Sequence, residues 1–257
     1  MGLTLAFTGK GGVGKTTLSA LAIDWMVRQG ETPVLAVDAD SNANLHEALG
    51  VAYEATVGGI RESAREQART LSGVSKQEFL DLRVQEALVE RNGFDLIVMG
   101  RPEGQGCYCF ANNVLREVLD RLARNYRHIV IDSEAGLEHI SRRTLLSLDH
   151  LLIVSDCTVR GMHTAGRISA LADEVSLGAK SRWLIVNRAP NGEVPPDVMR
   201  EAEATDLPLL ATVPLDAHVT EQDAQGAPIA ALASDAPARL VVDTALSKIF
   251  AACQEKN

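Results

Sequence analysis

Long apolar runs and blocks of basic residues are both missing from this sequence of 257 residues. No apolar run approaches the roughly 18 residues that span a bilayer, and the first apolar residues belong to a predicted strand rather than to a signal peptide. We therefore predict a cytoplasmic protein without a stable membrane anchor. The formal net charge is −9, which argues against a nucleic-acid-binding protein, whose surface would be basic.

Cysteine is also scarce. The four cysteines, Cys107, Cys109, Cys157 and Cys253, are too few for a disulfide scaffold in a chain of this length. In a reducing compartment a close pair more often binds metal or performs redox chemistry. Cys157 and Cys253, which stand alone, are expected to be inert core or helix-face residues.

Apolar strand-like runs alternate with helical stretches along most of the chain. This alternation predicts an α/β fold, a doubly wound and mostly parallel sheet flanked by helices, in a single domain over residues 1–257. Segment 52–92 is polar and helical in composition, and we predict a helical insertion there. The predicted strands are residues 3–7, 34–37, 94–99, 128–131, 150–154, 183–186 and 209–213.

A glycine-rich loop follows the first predicted strand and precedes a helix. Backbone N–H groups in such a loop, with the positive end of the helix dipole, bind phosphate. Three of its glycines also fit the dinucleotide pattern G-x-G-x-x-G, with Asp38 as the ribose acid. The pattern G-x-x-x-x-G-K-[ST] explains more, because only it gives Lys15 to the β/γ-phosphates and Thr16 to Mg²⁺. The predicted loop residues are Gly9, Lys10, Gly11, Gly12, Val13, Gly14, Lys15, Thr16 and Thr17.

Acidic residues follow two other predicted strands. Asp38 and Asp40 come after the second strand, and ligands of a doubly wound sheet lie beyond the carboxyl ends of its strands. One carboxylate would reach the metal shell while the other orients a water, although an Asx-rich turn capped by Asn42 or Asn44 also accounts for this stretch. Asp132 ends a further strand, where P-loop enzymes hold Mg²⁺.

Cys107 and Cys109 are separated by a single residue. Two thiolates supply half of the four ligands that a closed zinc or thiolate site requires. A symmetric dimer would supply the other half, because a two-fold axis brings identical patches together. Structural cysteines or a redox pair remain open alternatives.

These motifs together resemble a known family. Residues 10–17, KGGVGKTT, resemble the deviant Walker A motif of the MinD, ParA and nitrogenase iron protein group of P-loop ATPases, which is marked by an early second lysine. With GCYC at 106–109 and EAGLEH at 134–139, the chain more narrowly resembles the CooC family, ATPases that assist nickel insertion into carbon monoxide dehydrogenase. The resemblance covers nearly the whole chain and implies a MinD-like fold.

The resemblance implies a role for each matching loop residue. Lys10 would reach across a dimer interface to the partner's nucleotide, and Lys15 and Thr16 would bind phosphate and Mg²⁺ in their own chain. Asp40 would position the attacking water. ATP and Mg²⁺ are thus the implied substrate and cofactor, and Lys10, Lys15 and Asp40 the implied catalytic residues.

Further implied roles fall on the later strands. Asp38 and Asp132 would act on the magnesium shell, Asn187 would read the adenine, and Pro214 would lie in the loop that closes over the base. The segment 133–134, Ser-Glu, departs from the Thr-Pro or Met-Gly more common in relatives. The switch at this loop is therefore expected to differ in detail.

The predicted function is ATP-dependent nickel insertion by a homodimer, with Cys107 and Cys109 binding Ni²⁺ or Zn²⁺ between protomers. Acetyl-CoA synthase is an alternative client to carbon monoxide dehydrogenase. A ParA-like ATPase needs a basic DNA-binding face, and a MinD-like regulator needs a basic amphipathic anchor, whereas the tail 240–249 has few cations. An iron-protein-like electron donor would hold a cluster with four thiolates, and the Cys-x-Cys spacing argues mildly against it.

Overall fold

The computed structural model describes residues 2–59, 85–100, 122–134, 148–175 and 177–254. Its strands are β1 (Leu3–Gly9), β2 (Val34–Ala39), β3 (Leu88–Glu90), β4 (Phe94–Val98), β5 (His128–Ser133), β6 (His150–Asp156), β7 (Ser181–Ala189) and β8 (Leu209–Pro214). The α-helices with both ends described are α1 (Lys15–Arg28), α2 (Leu45–Leu49), α3 (Val159–Glu174), α4 (Pro196–Glu203), α5 (Ala217–Gln225) and α6 (Pro237–Gln254).

The strands form one sheet in the order β3-β4-β2-β5-β1-β6-β7-β8. Every neighbouring pair is parallel except β3 and β4. All seven strands predicted from the sequence are present, and the prediction of a doubly wound, mostly parallel sheet is confirmed. The carboxyl end of β1 lies at the centre of the sheet, between β5 and β6, so the loop that follows it is flanked by the ends of both neighbours.

The prediction of a helical insertion over 52–92 is wrong for its last part. Residues 57–59 and 85–87 are helical, but Leu88–Glu90 is β3, which pairs antiparallel with β4. A turn containing Gly93, whose φ is 90°, joins the two strands. A three-residue strand is too short to show a period of two in the sequence. Residues 60–84 of the predicted insertion lie outside the described residues.

Two apolar clusters cover the two faces of the sheet. Leu5 and Phe7 of β1 belong to the cluster that contains α1 and α6, whereas Ala6 belongs to the cluster that contains α3 and α4. This division follows from the alternation of side chains along a strand. Every residue of β1 is buried, as expected for a central parallel strand covered by helices. Among the described helices, none is long and apolar enough to cross a membrane.

A buried ion-pair network ties the first helix to the last. The Asp24 carboxylate of α1 accepts hydrogen bonds from Arg28 Nε at 2.8 Å and from Arg239 Nη1 of α6 at 2.6 Å. Arg239 is only 4% exposed, and its Nη2 donates to the carbonyl of Ile229. A buried guanidinium needs a counterion, and Asp24 supplies it where α6 packs against α1.

We expect Asp24→Ala to lower the free energy of unfolding by about 3 kcal/mol, because Arg239 would stay buried without its counterion. Urea denaturation of the nucleotide-free protein measures this loss. Asp243→Ala is the matched control, since Asp243 pairs with Arg28, whose side chain is 37% exposed. That exposed pair is worth about 0.5 kcal/mol. Equal losses in the two variants would contradict the assignment.

Candidate active site

The loop between β1 and α1 has the shape of an anion-binding site. Gly9, Gly12 and Gly14 have φ values of 151°, 78° and 93°, a region that residues with a Cβ rarely adopt. Gly14 is also the N-cap of α1, and no side chain accepts a hydrogen bond from the helix at that end. The first N–H groups of a helix have no partner within the helix. They are therefore available to an anion, as the sequence predicts.

Lys15 begins α1 and lies folded back over the loop. Its Nζ donates to the Lys10 carbonyl at 3.2 Å, and the residue is 7% exposed. Burial lowers the pKa of Lys15 below its ordinary value, while the carboxylates of Asp132, Asp40 and Glu134 act in the opposite direction. The ammonium thus faces several acids in a confined site. Lys10, in contrast, is exposed at the tip of the loop.

Asp132 ends β5 beside the start of α1. Its Oδ1 accepts from Ser19 Oγ at 3.3 Å, and the nearby Thr16 hydroxyl acts to lower the pKa of the carboxylate. Its Oδ2 is buried and has no hydrogen-bond partner among the described residues. Burial raises the pKa of Asp132 to about 6. A carboxylate kept buried with one oxygen unmatched is costly, which is characteristic of a cation ligand.

Asp38 and Asp40 occupy different positions in the site. Asp38 is fully buried at the end of β2, in register with Asp132 on β5. Its Oδ1 accepts from the Asp40 N–H at 3.1 Å and its Oδ2 from the Leu45 N–H at 2.9 Å. Burial raises the pKa of Asp38 to about 7. Both oxygens accept from the backbone, so Asp38 holds the loop that carries Asp40. Its role on the magnesium shell stays a prediction.

The loops after β2 and β5 also touch each other. Ser41 Oγ donates to Glu134 Oε1 at 3.4 Å, and Ser133 Oγ donates to the Phe7 carbonyl of β1 at 2.6 Å. The two residues that depart from the sequence pattern of relatives therefore both make contacts within the site. Residues 135–147 lie outside the described residues.

Asn187 and Pro214 lie together, as the sequence resemblance implies. Asn187 lies two residues before the end of β7 and Pro214 ends the neighbouring strand β8. Both line a groove beside the start of α1 together with Thr17 and Leu215. Asn187 is 7% exposed and its Nδ2 donates to the Val13 carbonyl at 2.8 Å. Since a carbonyl can only accept, this bond fixes the orientation of the amide.

The cysteine pair Cys107 and Cys109 lies outside the described residues. Cys157 and Cys253 are both outside any disulfide, and each is half-buried. Burial raises the pKa of the Cys157 thiol, and Cys253 Sγ lies 3.7 Å from His150 Nε2. Within the described ranges, no group of three or more His, Cys, Asp or Glu side chains could hold a metal ion.

Two residues that line the groove were not predicted from the sequence as site residues. Arg188 donates from Nη1 to the Gly12 carbonyl at 2.9 Å. Asp216 caps α5 through the His218 N–H and α6 through the Ala238 N–H, both at 2.9 Å. The role of Asp216 could have been predicted, since an Asp directly before a helix is a favoured N-cap. The role of Arg188 could not, because its contact depends on the backbone conformation of β7.

The assembled site has the parts required for phosphoryl transfer. Backbone donors and Lys15 provide positive potential for a phosphate chain, and Asp132 and Thr16 can hold a hard cation beside it. Asp40 lies on a loop close enough to influence the Lys15 ammonium. Asn187 and Pro214 line a groove beside the start of α1. This combination is typical of nucleoside triphosphate hydrolysis.

Comparison with known proteins agrees with this geometry. Residues 4–182 match the family model of the AAA domain. An uncharacterized ATP-binding protein of Methanocaldococcus jannaschii is 40% identical over 88% of this chain and 90% of its own length. The carbon monoxide dehydrogenase accessory protein CooC of Rhodospirillum rubrum is 31% identical over 87% of this chain and 88% of its own.

Solved structures share the fold. The septum site-determining protein MinD of Pyrococcus horikoshii, complexed with Mg-ADP, aligns with a TM-score of 0.74 and 22% identity over 100% of this chain and 99% of its own. A ParA family ATPase of Chlorobium tepidum aligns with a TM-score of 0.71 and 20% identity, covering 95% and 98% of the two chains. The sequence resemblance is thereby confirmed. The chain belongs to the AAA-domain family of P-loop ATPases, in the group that contains the CooC, MinD and ParA proteins.

Proposed function

We propose that this ATPase assists the insertion of nickel into carbon monoxide dehydrogenase. The observation that carries the proposal is the similarity to the accessory protein CooC along nearly nine-tenths of both chains. The sequence Cys107-Tyr108-Cys109 supports it, because paired thiolates bind nickel or zinc. Acetyl-CoA synthase is the alternative client.

The site residues fit Mg-ATP as the energy source. The unmatched Oδ2 of Asp132, adjacent to the Thr16 hydroxyl, suits a Mg²⁺ ion, which takes only one or two protein carboxylates and completes its shell with phosphate oxygens and water. When bound, the ion would neutralise charge on the phosphates. Lys15 would bind the phosphates of its own chain, and Asn187 would present its Oδ1 to the amino group of adenine.

The loop after β2 would control hydrolysis. Asp40 orients the attacking water, and Asp38 acts on Asp40 by holding the loop backbone at both ends through the Asp40 and Leu45 N–H groups. Lys10, exposed at the loop tip, is free to reach the nucleotide of a second chain. ATP would thus draw two chains together, and hydrolysis would release them.

Nickel is the cargo of this cycle. Each chain supplies two thiolates, and a two-fold axis would bring four together at the dimer interface. Opening and closing of the dimer would reshape that set of ligands. ATP turnover would in this way be coupled to capture and release of the metal.

Metal content tests the proposal directly. We expect anaerobically purified protein exposed to Ni²⁺ to hold one ion for every two chains, as a bridging site requires. Cys107→Ala/Cys109→Ala should lose the ion together with part of the dimer, while keeping ATP binding. Elemental analysis combined with light scattering measures both quantities.

Cys157→Ala/Cys253→Ala is the matched control, since it removes the same number of thiols from described positions distant from the pair in sequence. This control should bind nickel like the parent. Undiminished nickel binding by Cys107→Ala/Cys109→Ala would refute the proposal. A regulatory ATPase of the MinD or ParA type would then be the better description of the chain, because its nucleotide site needs no thiolates.

A further inference from the structure

The end of β7 contains a β-bulge directed at the phosphate loop. Val186 is opposite Thr212 of β8, but Ala189 is opposite Pro214, so β7 has one residue more than its partner between these pairs. The extra residue lies within Asn187 and Arg188. A bulge changes the direction of side chains, and here it turns two consecutive side chains toward the loop between β1 and α1.

Both side chains bind carbonyl groups of that loop. Asn187 Nδ2 donates to the Val13 carbonyl at 2.8 Å, and Arg188 Nη1 donates to the Gly12 carbonyl at 2.9 Å. The peptide unit is planar and trans, so its C=O and N–H point in opposite directions. Fixing the carbonyls of Gly12 and Val13 therefore also fixes the N–H groups of Val13 and Gly14, which point away from β7.

The backbone at Arg188 is strained. Its φ is 56°, a left-handed conformation that costs a residue with a Cβ about 1 kcal/mol or more. Arg188 is also exposed, so burial of its side chain does not offset that cost. Strain of this kind persists where the surroundings determine the conformation, and it is concentrated at functional sites. In this case the strained conformation is the one that brings the guanidinium to the Gly12 carbonyl.

We propose that Arg188 is a positioning residue for ATP hydrolysis, which holds the phosphate loop in its anion-binding shape before the nucleotide arrives. Its ligand class is the polyphosphate chain, reached through the backbone of Gly12 and Val13 rather than by direct contact. Because Arg188 also lines the groove beside Asn187 and Pro214, it connects the wall of that groove to the loop. The proposal rests on the ATPase activity and is independent of the nickel step.

Arg188→Met tests the proposal, since methionine keeps an apolar stem and removes the donor. We expect the Kd for ATP, ADP and inorganic tripolyphosphate to rise alike, by roughly five- to tenfold, the effect of losing one solvent-exposed hydrogen bond of ordinary strength. KM for ATP should rise by the same factor while kcat stays within about twofold, because saturating ATP can order the loop by itself. Isothermal titration and steady-state kinetics provide these values.

Two controls separate positioning from other roles. Arg200→Met, at an exposed arginine of α4 paired with Asp197, should change none of the constants. Arg188→Lys keeps a charged donor and should recover affinity to within about twofold. Should Arg188→Met fail to fold, Arg188→Gln, which is too short to reach the carbonyl, replaces it.

Three results would overturn the proposal. A loss of affinity for ATP and ADP, with the affinity for tripolyphosphate unchanged, would mean that Arg188 contacts the base. A loss that disappears between about 50 mM and about 500 mM salt would mean that the guanidinium acts as a distant, screened charge. Unchanged affinity for all three ligands would mean that its bond to Gly12 has no role. None of these measurements involves nickel binding. A result that overturns the role of Arg188 would therefore leave the proposed nickel function untouched.

Discussion

Asp132→Asn is expected to stabilise the nucleotide-free protein at pH 8 while reducing ATP hydrolysis by at least about 100-fold. Asparagine still accepts the hydrogen bond of Ser19, but it removes a buried charge whose Oδ2 lacks a partner in the described part of the chain. The gain should be about 2–3 kcal/mol, the linkage free energy of a carboxyl whose pKa rises from 3.8 to about 6 on folding. The loss of activity follows from the removal of a Mg²⁺ ligand.

The gain in stability of Asp132→Asn should increase with pH. The folded-state pKa of Asp132 is raised, so the unfolded chain loses its proton at lower pH than the folded protein does. Near pH 3 the carboxyl is protonated in both states and the variant gains nothing. The gain grows as pH rises through 4 to 6 and is complete above about pH 7. Urea denaturation in EDTA at several pH values measures it.

Asp149→Asn provides the comparison. Asp149 is similarly buried, but both of its oxygens have partners, the Thr4 N–H at 2.8 Å and Lys180 Nζ at 2.7 Å. The same substitution should therefore destabilise the protein, by about 1–2 kcal/mol. If both variants shifted stability in the same direction, burial of the Asp132 charge would not be the cause.

Gly14→Ala is expected to have the second large effect, lowering the free energy of unfolding by about 2–3 kcal/mol and ATP affinity by at least about 100-fold. Alanine at this position would hold a φ of 93°, and its Cβ would lie 2.4 Å from Asn187 Nδ2. The Asn187 side chain would have to move and release the Val13 carbonyl. Backbone strain at residue 14 and the loss of the hydrogen bond between Asn187 and Val13 thus both destabilise this variant.

Neighbouring glycines form a graded control series. Gly12→Ala has strain without a clash, because φ is 78° but nothing lies within 4 Å of the added Cβ, and should cost about 1 kcal/mol. Gly11 has neither feature, so Gly11→Ala should change stability by less than about 0.5 kcal/mol. Urea denaturation of the nucleotide-free proteins measures the order of the three losses in stability. Equal losses at Gly12 and Gly14 would show that the contact with Asn187 is unimportant.

The sequence predicts the elements whose signals are local. Seven strands and the phosphate loop follow from apolar runs and from glycine and lysine at fixed spacing, and Asp132 follows from its place at a strand end. The contacts that the sequence did not predict depend on distant partners. Asn187 and Arg188 bind carbonyls 174 and 176 residues away in the sequence, and the bulge that directs them appears only when β7 pairs with β8.

Asp38 illustrates the same limit within a single motif. Its position at the end of β2 was predicted from the apolar run before it, but its role was assigned by resemblance. Which atoms its carboxylate would meet depends on how the following loop turns back toward Leu45. That turn places Ala43 at a φ of 54°. A positive φ is uncommon for alanine, so the sequence does not predict this conformation.

The sheet formed by the described residues has two edges, and both are poorly suited to pairing with another chain. Strand β3 closes one edge with only three residues, Leu88–Glu90, and β8 forms the other between Pro208 and Pro214. Short strands and prolines at a sheet edge resist pairing with another chain, because proline has no N–H to donate. Edge-to-edge growth of the sheet into fibrils or swapped dimers is thus disfavoured on both sides. The exposed Lys10 follows the central strand β1 and therefore lies away from both edges.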